Sequence, residues 1–507
     1  MRTQDSNTGA AVPGFLIAAP ASGSGKTAVS CALMAAFRDR GLKVKACKCG
    51  PDYIDPMFHR EVLGLDSRNL DLFFSGREEL KEGYVRHGTG ADLVITEGVM
   101  GYYDGLSVDS WEASSYDMAR TLGLPVILIL PCRGAALSLA AVAAGMAGHR
   151  PDSSIKGILL NQVSEARYPG MKSMLERELD RMGYKIPVLG RIPTDEAFHF
   201  ESRHLGLVTP QEIRSLKEQM ARAGQILSGT VELDRILELA GYPGNAGGGK
   251  NAIGKCRERT EEKGRDTKDG KIPSIRPDRL RIGVARDAAF CFSYPENLEL
   301  LRSLGCEIIP FSPLSDDRLP EDLDGLILGG GYPELYAREL SERKEMFRDV
   351  RKALGAGMPC LAECGGYLYL HETIRDREGR DWPMAGVVKG SAYPGTGLKQ
   401  FGYVKIRLSG ESEAEGTESY LLPGETIRGH EFHYWDSTAE AKSCVAEKPD
   451  GRRSWRCIRA EGNLFAGFPH LYLPSLPAFA GRFAGRCGTW RQSVRDGREK
   501  TGCPGRY

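Results

Sequence analysis

Three groups of residues in this chain have the types and spacing that chemistry needs. The first is the run Ser22, Gly23, Ser24, Gly25, Lys26 and Thr27. Small residues let backbone N–H groups turn inward at the start of a helix, which makes a phosphate cradle. Lys26 adds a mobile positive charge for the outer phosphates, and the Thr27 hydroxyl a ligand for Mg²⁺. Pro20 stands where the usual pattern has its first glycine, but the Gly-Lys-Thr end is intact. The second group is carboxylate: Asp52 and Asp55 in a Pro/Gly-bounded loop, Glu97 directly after an apolar run, and Asp104 in a glycine-rich segment. A carboxylate just past a buried strand holds Mg²⁺ directly or through water, whereas an Asp in such a loop also serves as a turn cap. The third group is built on a thiol. Cys364 is followed by Gly365 and Gly366, and Gly329, Gly330 and Gly331 precede it. That is the composition of a nucleophile elbow, in which a sharp strand-to-helix turn exposes the side chain and the helix start favours a thiolate. Backbone N–H groups of Gly330 and Gly331 suit an oxyanion. A cysteine near neutral pH needs a base, and His371, His430, His433 and His470 lie in the same half.

The elements that position these groups follow from the apolar pattern. Strands are predicted at 15–19, 42–49, 91–96, 124–130, 155–160 and 187–192, with a helix over 27–38. Strand 155–160 ends at Asn161-Gln162, a place for an adenine-edge contact or for a turn. Strand and helix alternate to about residue 230, which predicts a doubly wound, mostly parallel α/β sheet. Its ligands belong at the carboxyl ends of the strands. Residues 242–279 have almost no large apolar side chains and read as a flexible linker. A second α/β pattern restarts at Leu280. It includes a strand over 325–328 that ends in the glycine triplet, and one over 359–362 that leads to Cys364. The expected organisation is a P-loop domain over 14–240, a linker over 241–279, a second α/β domain over 280–480 and a basic, disordered tail over 481–507.

Composition sets the outer limits. At 507 residues the chain is too long for one core and calls for two or three domains. A net charge of +1 gives no global field for nucleic acid or an anionic membrane. Thirteen cysteines without a C-x-x-C pair, and no signal peptide, point to a reducing cytoplasm and free thiols. The most apolar stretch, 122–148, is broken by Pro131, Cys132 and Arg133, which suits a strand and helix better than a membrane span.

Leu361-Ala-Glu-Cys-Gly-Gly-Tyr367, Gly329-Gly-Gly-Tyr-Pro-Glu334 and Arg428-Gly-His-Glu-Phe-His-Tyr434 resemble the class I (triad-type) glutamine amidotransferase domain of the cobyrinate/cobyrate synthase family. The first half resembles that family's dethiobiotin-synthetase-like ATPase domain. Lys48-Cys-Gly-Pro-Asp-Tyr-Ile-Asp55, Glu97-Gly-Val-Met-Gly-Tyr-Tyr-Asp-Gly105 and Arg286-Asp-Ala-Ala-Phe290 are similar to its cobyrinate a,c-diamide synthase branch. The resemblance covers nearly all of the chain except the termini and 242–279. It implies that Cys364 strips ammonia from glutamine and that His470 activates it. Where the family has His-x-His-Phe, this chain has His470-Leu-Tyr472-Leu. Ordinary triad enzymes carry Glu two residues after the His, so a Cys–His dyad is implied, with His430 and His433 structural or interdomain. The resemblance further implies that Lys26, Thr27 and Asn161 bind ATP. Thr27, Asp52 and Glu97 would hold Mg²⁺. Asp52 and Asp104 would serve acyl-phosphate chemistry, and Tyr53 and Ile54 would read the macrocycle's carboxylate. The implied reaction amidates two carboxylates of cobyrinate, with glutamine and ATP as co-substrates, in a cytoplasmic monomer or homodimer that needs neither nucleic acid nor membrane. Within the family, Ni-sirohydrochlorin is the alternative substrate. From another class, a nucleotide-dependent switch like the partition ATPases shares this P-loop type.

Overall fold

Apolar on both faces, the run Gly14–Ala18 forms strand β1 and is wholly buried, as a strand covered by helices on both sides must be. The computed structural model describes residues 12–199, 210–243, 279–414 and 419–501. The chain divides into two compact units, Met1–Lys268 and Asp269–Tyr507.

In the first unit β1 is followed by β2 (Val44–Cys49), β3 (Ser67–Leu70), β4 (Leu93–Glu97), β5 (Val126–Pro131), β6 (Ile155–Asn161) and β7 (Val188–Ile192). They form one sheet in the order β3-β2-β4-β1-β5-β6-β7, with every pair parallel. The α/β, doubly wound expectation is met. Strand β3 was not expected, because Ser-Arg-Asn-Leu has a single apolar residue; at the sheet's edge it needs no more. Helix Lys26–Asp39 is buried along nearly its whole length, since the sheet lies on one side and helix Pro210–Thr230 on the other.

The second unit opens with β8 (Leu280–Ala285), β9 (Cys306–Phe311), β10 (Gly325–Leu328) and β11 (Cys360–Glu363). Next come β12 (His371–Arg375), β13 (Asp381–Pro383), β14 (Val388–Pro394), β15 (Gln400–Leu408), β16 (Ile427–His433) and β17 (Trp435–Ser437). The last are β18 (Cys444–Glu447), β19 (Ser454–Glu461), β20 (Leu464–Gly467) and β21 (His470–Leu471). A mixed sheet runs β21-β16-β15-β18-β19-β20-β11-β10-β8-β9, and β13-β12-β14-β17 make a smaller one. Strand β11 lies parallel between β10 and β20, so its carboxyl end, where Cys364 follows, is central in the sheet.

The C-terminal tail corrects the expectation. Residues Pro477–Thr501 form a helix, not a disordered segment from 481. Phe479, Ala480, Phe483, Ala484 and Cys487 are fully buried, and their spacing is one face of a helix. Phe479 and Phe483 meet the Tyr420 ring edge-on at 5.7 and 5.5 Å, and Arg491 Nε donates to Asp324 at 2.9 Å. Glycines and arginines on the other face hide this stripe in the composition. The core of the second unit therefore extends past 480. Most of the expected linker, 244–278, and the last residues, 502–507, lie outside the described residues. No helix among the described residues is long and apolar enough to cross a membrane.

Candidate active sites

In the first unit the turn after β1 delivers the phosphate cradle. Gly25 has φ 89° and ψ 19°, a left-handed conformation that glycine adopts without steric penalty. A Cβ at Gly25 would also lie 2.6 Å from Asn161 Nδ2. Asn161, at the end of β6, donates that amide to the Ser24 carbonyl at 2.9 Å. It is thus a brace for the loop, and one N–H of its amide is used there. Lys26 Nζ folds back onto the carbonyls of Met100 (2.5 Å) and Ala21 (3.2 Å). Burial, and next the Lys48 ammonium, pull Lys26 down to about 8.

Sheet register sets the carboxylates. Glu97 ends β4 opposite Ile17 of β1 and Lys48 of β2. Thr27 Oγ1 donates to Glu97 Oε1 at 2.6 Å, and Lys48 Nζ donates to the same oxygen at 2.9 Å. Lys48 also pairs with Asp55 Oδ2 at 2.7 Å, and His59 Nε2 lies 3.7 Å from Glu97 Oε2. Two carboxylates share one lysine here. Burial works against ionising Glu97, but Lys48, then His59 and Thr27, hold its carboxyl well below the ordinary range. Burial pushes Asp55 the other way, to about 7, against the pull of Lys48. Lys48 itself stays charged: burial opposes its charge, and Asp55 and Glu97 more than offset that.

Asp52 Oδ1 accepts from the backbone of Ile54 (2.8 Å) and Asp55 (3.0 Å), so it caps helix Ile54–Glu61 as a turn-former would. Tyr53 and Ile54 are half-buried at that helix start. Asp104 Oδ2 accepts from Gly101 N at 2.9 Å. It lines a cavity of about 320 Å³ with Pro20, Tyr102, Tyr103, Met146 and His149. A second cavity, of about 200 Å³, is lined by Gly23, Gly25 and Val29 of the cradle region and by Gln162, Pro193, Thr194 and Asp195. Among the described residues no group of three or more His, Cys, Asp or Glu gathers as a metal nest. The donor set still fits Mg²⁺. The Thr27 hydroxyl spends its proton on Glu97 and keeps its lone pairs, as a ligand that shares Mg²⁺ with phosphate oxygens must. Lys48 was not singled out in the sequence. On an alternating strand it looks like an outward lysine, yet it is only 4% exposed.

In the second unit Cys364 follows β11 and begins the one-turn helix Gly365–Tyr369 with φ 46° and ψ −104°. This is a strained conformation for a residue with a Cβ and the mark of a nucleophile turn. Burial, then the Glu334 charge, push its thiol well up. The expected help from a helix start is slight, because one turn carries little dipole, so the resting group is the neutral thiol. The glycine triplet packs on this turn. Gly329 O accepts from Gly366 N at 2.9 Å, and a Cβ at Gly365 would lie 3.0 Å from Gly331 N. Gly330 lies against the imidazole of His470, and a Cβ there would be 2.3 Å from Cε1.

His470 arrives through the sheet. Glu363 of β11 pairs in register with Gly467 of β20, and Cys364 N donates to Gly467 O at 2.8 Å. Three residues further along, His470 begins β21. Burial, then the His433 charge, hold His470 down at about 3, so the ring is neutral, as a base must be. Glu363 Oε1 accepts from Leu471 N at 3.2 Å, and its Oε2 lies 3.8 Å from His470 Nδ1. Tyr472 packs edge-on against Tyr294 at 5.7 Å. The other histidines have structural partners. His371 lies between Tyr367 O (2.8 Å) and Ser437 Oγ (2.6 Å). His433 lies between Trp435 O (2.6 Å) and Glu431 Oε1 (2.9 Å) and stacks on Phe468. His430 faces His470 across β16 and β21.

Residues 15–208 match the family model described as CobQ/CobB/MinD/ParA nucleotide binding domain. Residues 281–476 match the CobB/CobQ-like glutamine amidotransferase domain. A protein of Caldanaerobacter subterraneus subsp. tengcongensis is 36% identical over 481 residues, covering 94% of this chain and 98% of its own. One from Clostridium acetobutylicum is 39% identical over 463 residues, covering 90% and 96%. One from Picrophilus torridus is 35% identical over 475 residues, covering 93% and 98%. All three relatives are named cobyrinate a,c-diamide synthase.

Proposed function

This chain belongs to the cobyrinate a,c-diamide synthase family, and we propose that it amidates the a and c side-chain carboxylates of cobyrinate, using ATP and ammonia taken from glutamine. The observation that carries this reading is the pairing, in one chain, of a Lys26–Thr27–Glu97 cradle with a Cys364 turn beside His470.

A carboxylate resists amines because oxide is not a usable leaving group. In the first unit the substrate carboxylate attacks the γ-phosphorus of ATP, ADP departs, and the acyl phosphate formed has phosphate as its leaving group. The cradle N–H groups and Lys26 hold the phosphates in line. Thr27 and Glu97 would hold Mg²⁺, which neutralises charge on the phosphate oxygens when bound. Lys48 keeps Glu97 ionised for that task. The cavity at Gln162 and Pro193–Asp195 is our seat for the base of ATP, with Asn161 as the brace beside it. The cavity at Asp104, Tyr103 and His149 is our seat for the edge of the macrocycle, with Asp52, Tyr53 and Ile54 as the turn that positions its carboxylate.

In the second unit His470 takes the Cys364 proton and the thiolate attacks the glutamine amide carbon. Gly330 and Gly331 offer N–H groups to the oxyanion. His470 then returns the proton to the leaving nitrogen, and water releases glutamate from the thioester. The free cysteines of the described chain suit the reducing cytoplasm in which we place the enzyme. We assign 14–240 to the ligase activity and the second unit, through its C-terminal helix, to the glutaminase.

The test is to count amides by mass after incubating the pure protein with glutamine, ATP, Mg²⁺ and a tetrapyrrole. Two amides are expected on cobyrinate, and none without ATP. Amidation of Ni-sirohydrochlorin but not cobyrinate overturns the substrate. ATP hydrolysis indifferent to any carboxylate overturns the ligase.

A further inference from the structure

A histidine that serves a cysteine as base needs a third group. That group fixes which ring nitrogen carries the proton and stabilises the imidazolium that forms. The position two residues after His470 is filled by Tyr472, whose ring is engaged with Tyr294. A carboxylate reaches the imidazole from a different element. Glu363 directly precedes the nucleophile, and one of its oxygens is anchored on Leu471 N at 3.2 Å while the other lies 3.8 Å from His470 Nδ1. Its side chain is 14% exposed and that of His470 3%.

We propose that Glu363 is the third member of the glutaminase site, a positioning residue that acts on His470 and through it on Cys364. Three observations support the assignment. The anchor on Leu471, the residue next to His470, ties the carboxylate to the backbone that carries the ring, so the approach is fixed by the fold. The register Glu363↔Gly467 sets acid and nucleophile at the end of β11 beside the end of β20, three residues before His470 begins β21. Finally, burial pushes Glu363 up to about 8 and His470 down to about 3. Each disfavours a lone charge there, and a carboxylate beside an imidazolium offsets both. At 3.8 Å the contact is longer than a hydrogen bond, and catalytic contacts commonly tighten only with substrate in place. With Glu363 ionised and Nδ1–H held toward it, Nε2 presents its lone pair to the Cys364 proton. The S–H bond breaks as the S–C bond to the glutamine amide forms. The C–N bond then breaks as Nε2 gives its proton to the leaving nitrogen, and Glu363 ends as it began.

The assignment rests on the glutaminase reading of Cys364, and the experiment separates the two. Glu363→Gln, Glu363→Asp and Cys364→Ala are made in the full chain. Each is assayed for glutamine hydrolysis, for amidation with added ammonium salt, and, where the thiol is present, for iodoacetamide alkylation of Cys364 against pH. Glu363→Gln is expected to lower glutaminase kcat by about 10²- to 10⁴-fold with KM for glutamine little changed. Half-maximal alkylation should move to higher pH, and turnover with ammonium salt should stay at the wild-type level. Glu363→Asp, one methylene short, should fall between, and it decides the matter if the glutamine variant fails to fold. Wild-type glutamine turnover in either variant overturns the assignment, as does equal loss of glutamine- and ammonia-dependent turnover. If Cys364→Ala still uses glutamine, the glutaminase reading fails. If Cys364→Ala loses glutamine use and Glu363→Gln keeps it, only the acid is wrong.

Discussion

Lys48 holds two carboxylates in a pocket nearly closed to water, with Nζ 2.7 Å from Asp55 and 2.9 Å from Glu97. Replacing it by methionine leaves both acids buried without their counter-charge. Removing one partner of such a group typically costs about 3–5 kcal/mol, so Lys48→Met should lower the urea midpoint of the first unit. It should also raise the Glu97 carboxyl toward its ordinary range and sharply reduce amidation with ammonium salt. An unchanged midpoint and rate would show that Lys48 supports neither the fold nor the ATP site. The chemistry of Lys26, Thr27, Glu97 and Cys364 was legible in the sequence because Lys26 and Thr27 close a small-residue turn and Glu97 and Cys364 follow apolar runs, places where side-chain type alone suggests a role. Lys48 and Glu363 were not legible. Each looks like an ordinary charged residue on a strand, and its role depends on which strand lies next to it.

At the scale of the element, the strand-to-helix turns were readable and the C-terminal helix was not. Helix Pro477–Thr501 buries Phe479, Phe483 and Cys487, yet its glycines and arginines suggested disorder. Phe483→Ala should destabilise the second unit by about 3–5 kcal/mol, the usual cost of emptying a buried phenylalanine site. Urea unfolding followed by tryptophan fluorescence measures it, since Trp382, Trp435, Trp455 and Trp490 all lie in that unit and only Trp111 in the other. A midpoint unmoved by the substitution would mean that the helix is not part of that core. Edge strand β3 escaped notice for a related reason: a strand covered on few sides needs little apolar sequence, and periodicity has nothing to detect.

Across the whole molecule, two activities in one chain give a crossed pattern. Cys364→Ala should abolish glutamine use and keep amidation with ammonium salt, because ammonia added outside replaces what the second unit makes. Lys26→Ala should lose both, because without acyl phosphate no nitrogen source is accepted. A Cys364→Ala protein that ammonium salt fails to rescue would give the cysteine a structural role, and wild-type turnover of Lys26→Ala would remove the cradle from the mechanism. Sequence alone determined that there are two α/β units, one ending its first strand in a phosphate cradle and the other turning at a cysteine. Apolar runs, glycines and prolines act locally and leave their mark in residue order. Tertiary structure alone decided that Asn161 braces the cradle, that Lys48 binds Glu97 and Asp55 together, and that Glu363 faces His470. Apart from the Lys48–Asp55 pair, those contacts join residues 49 to 137 positions apart, through strand register and close packing that no local pattern encodes.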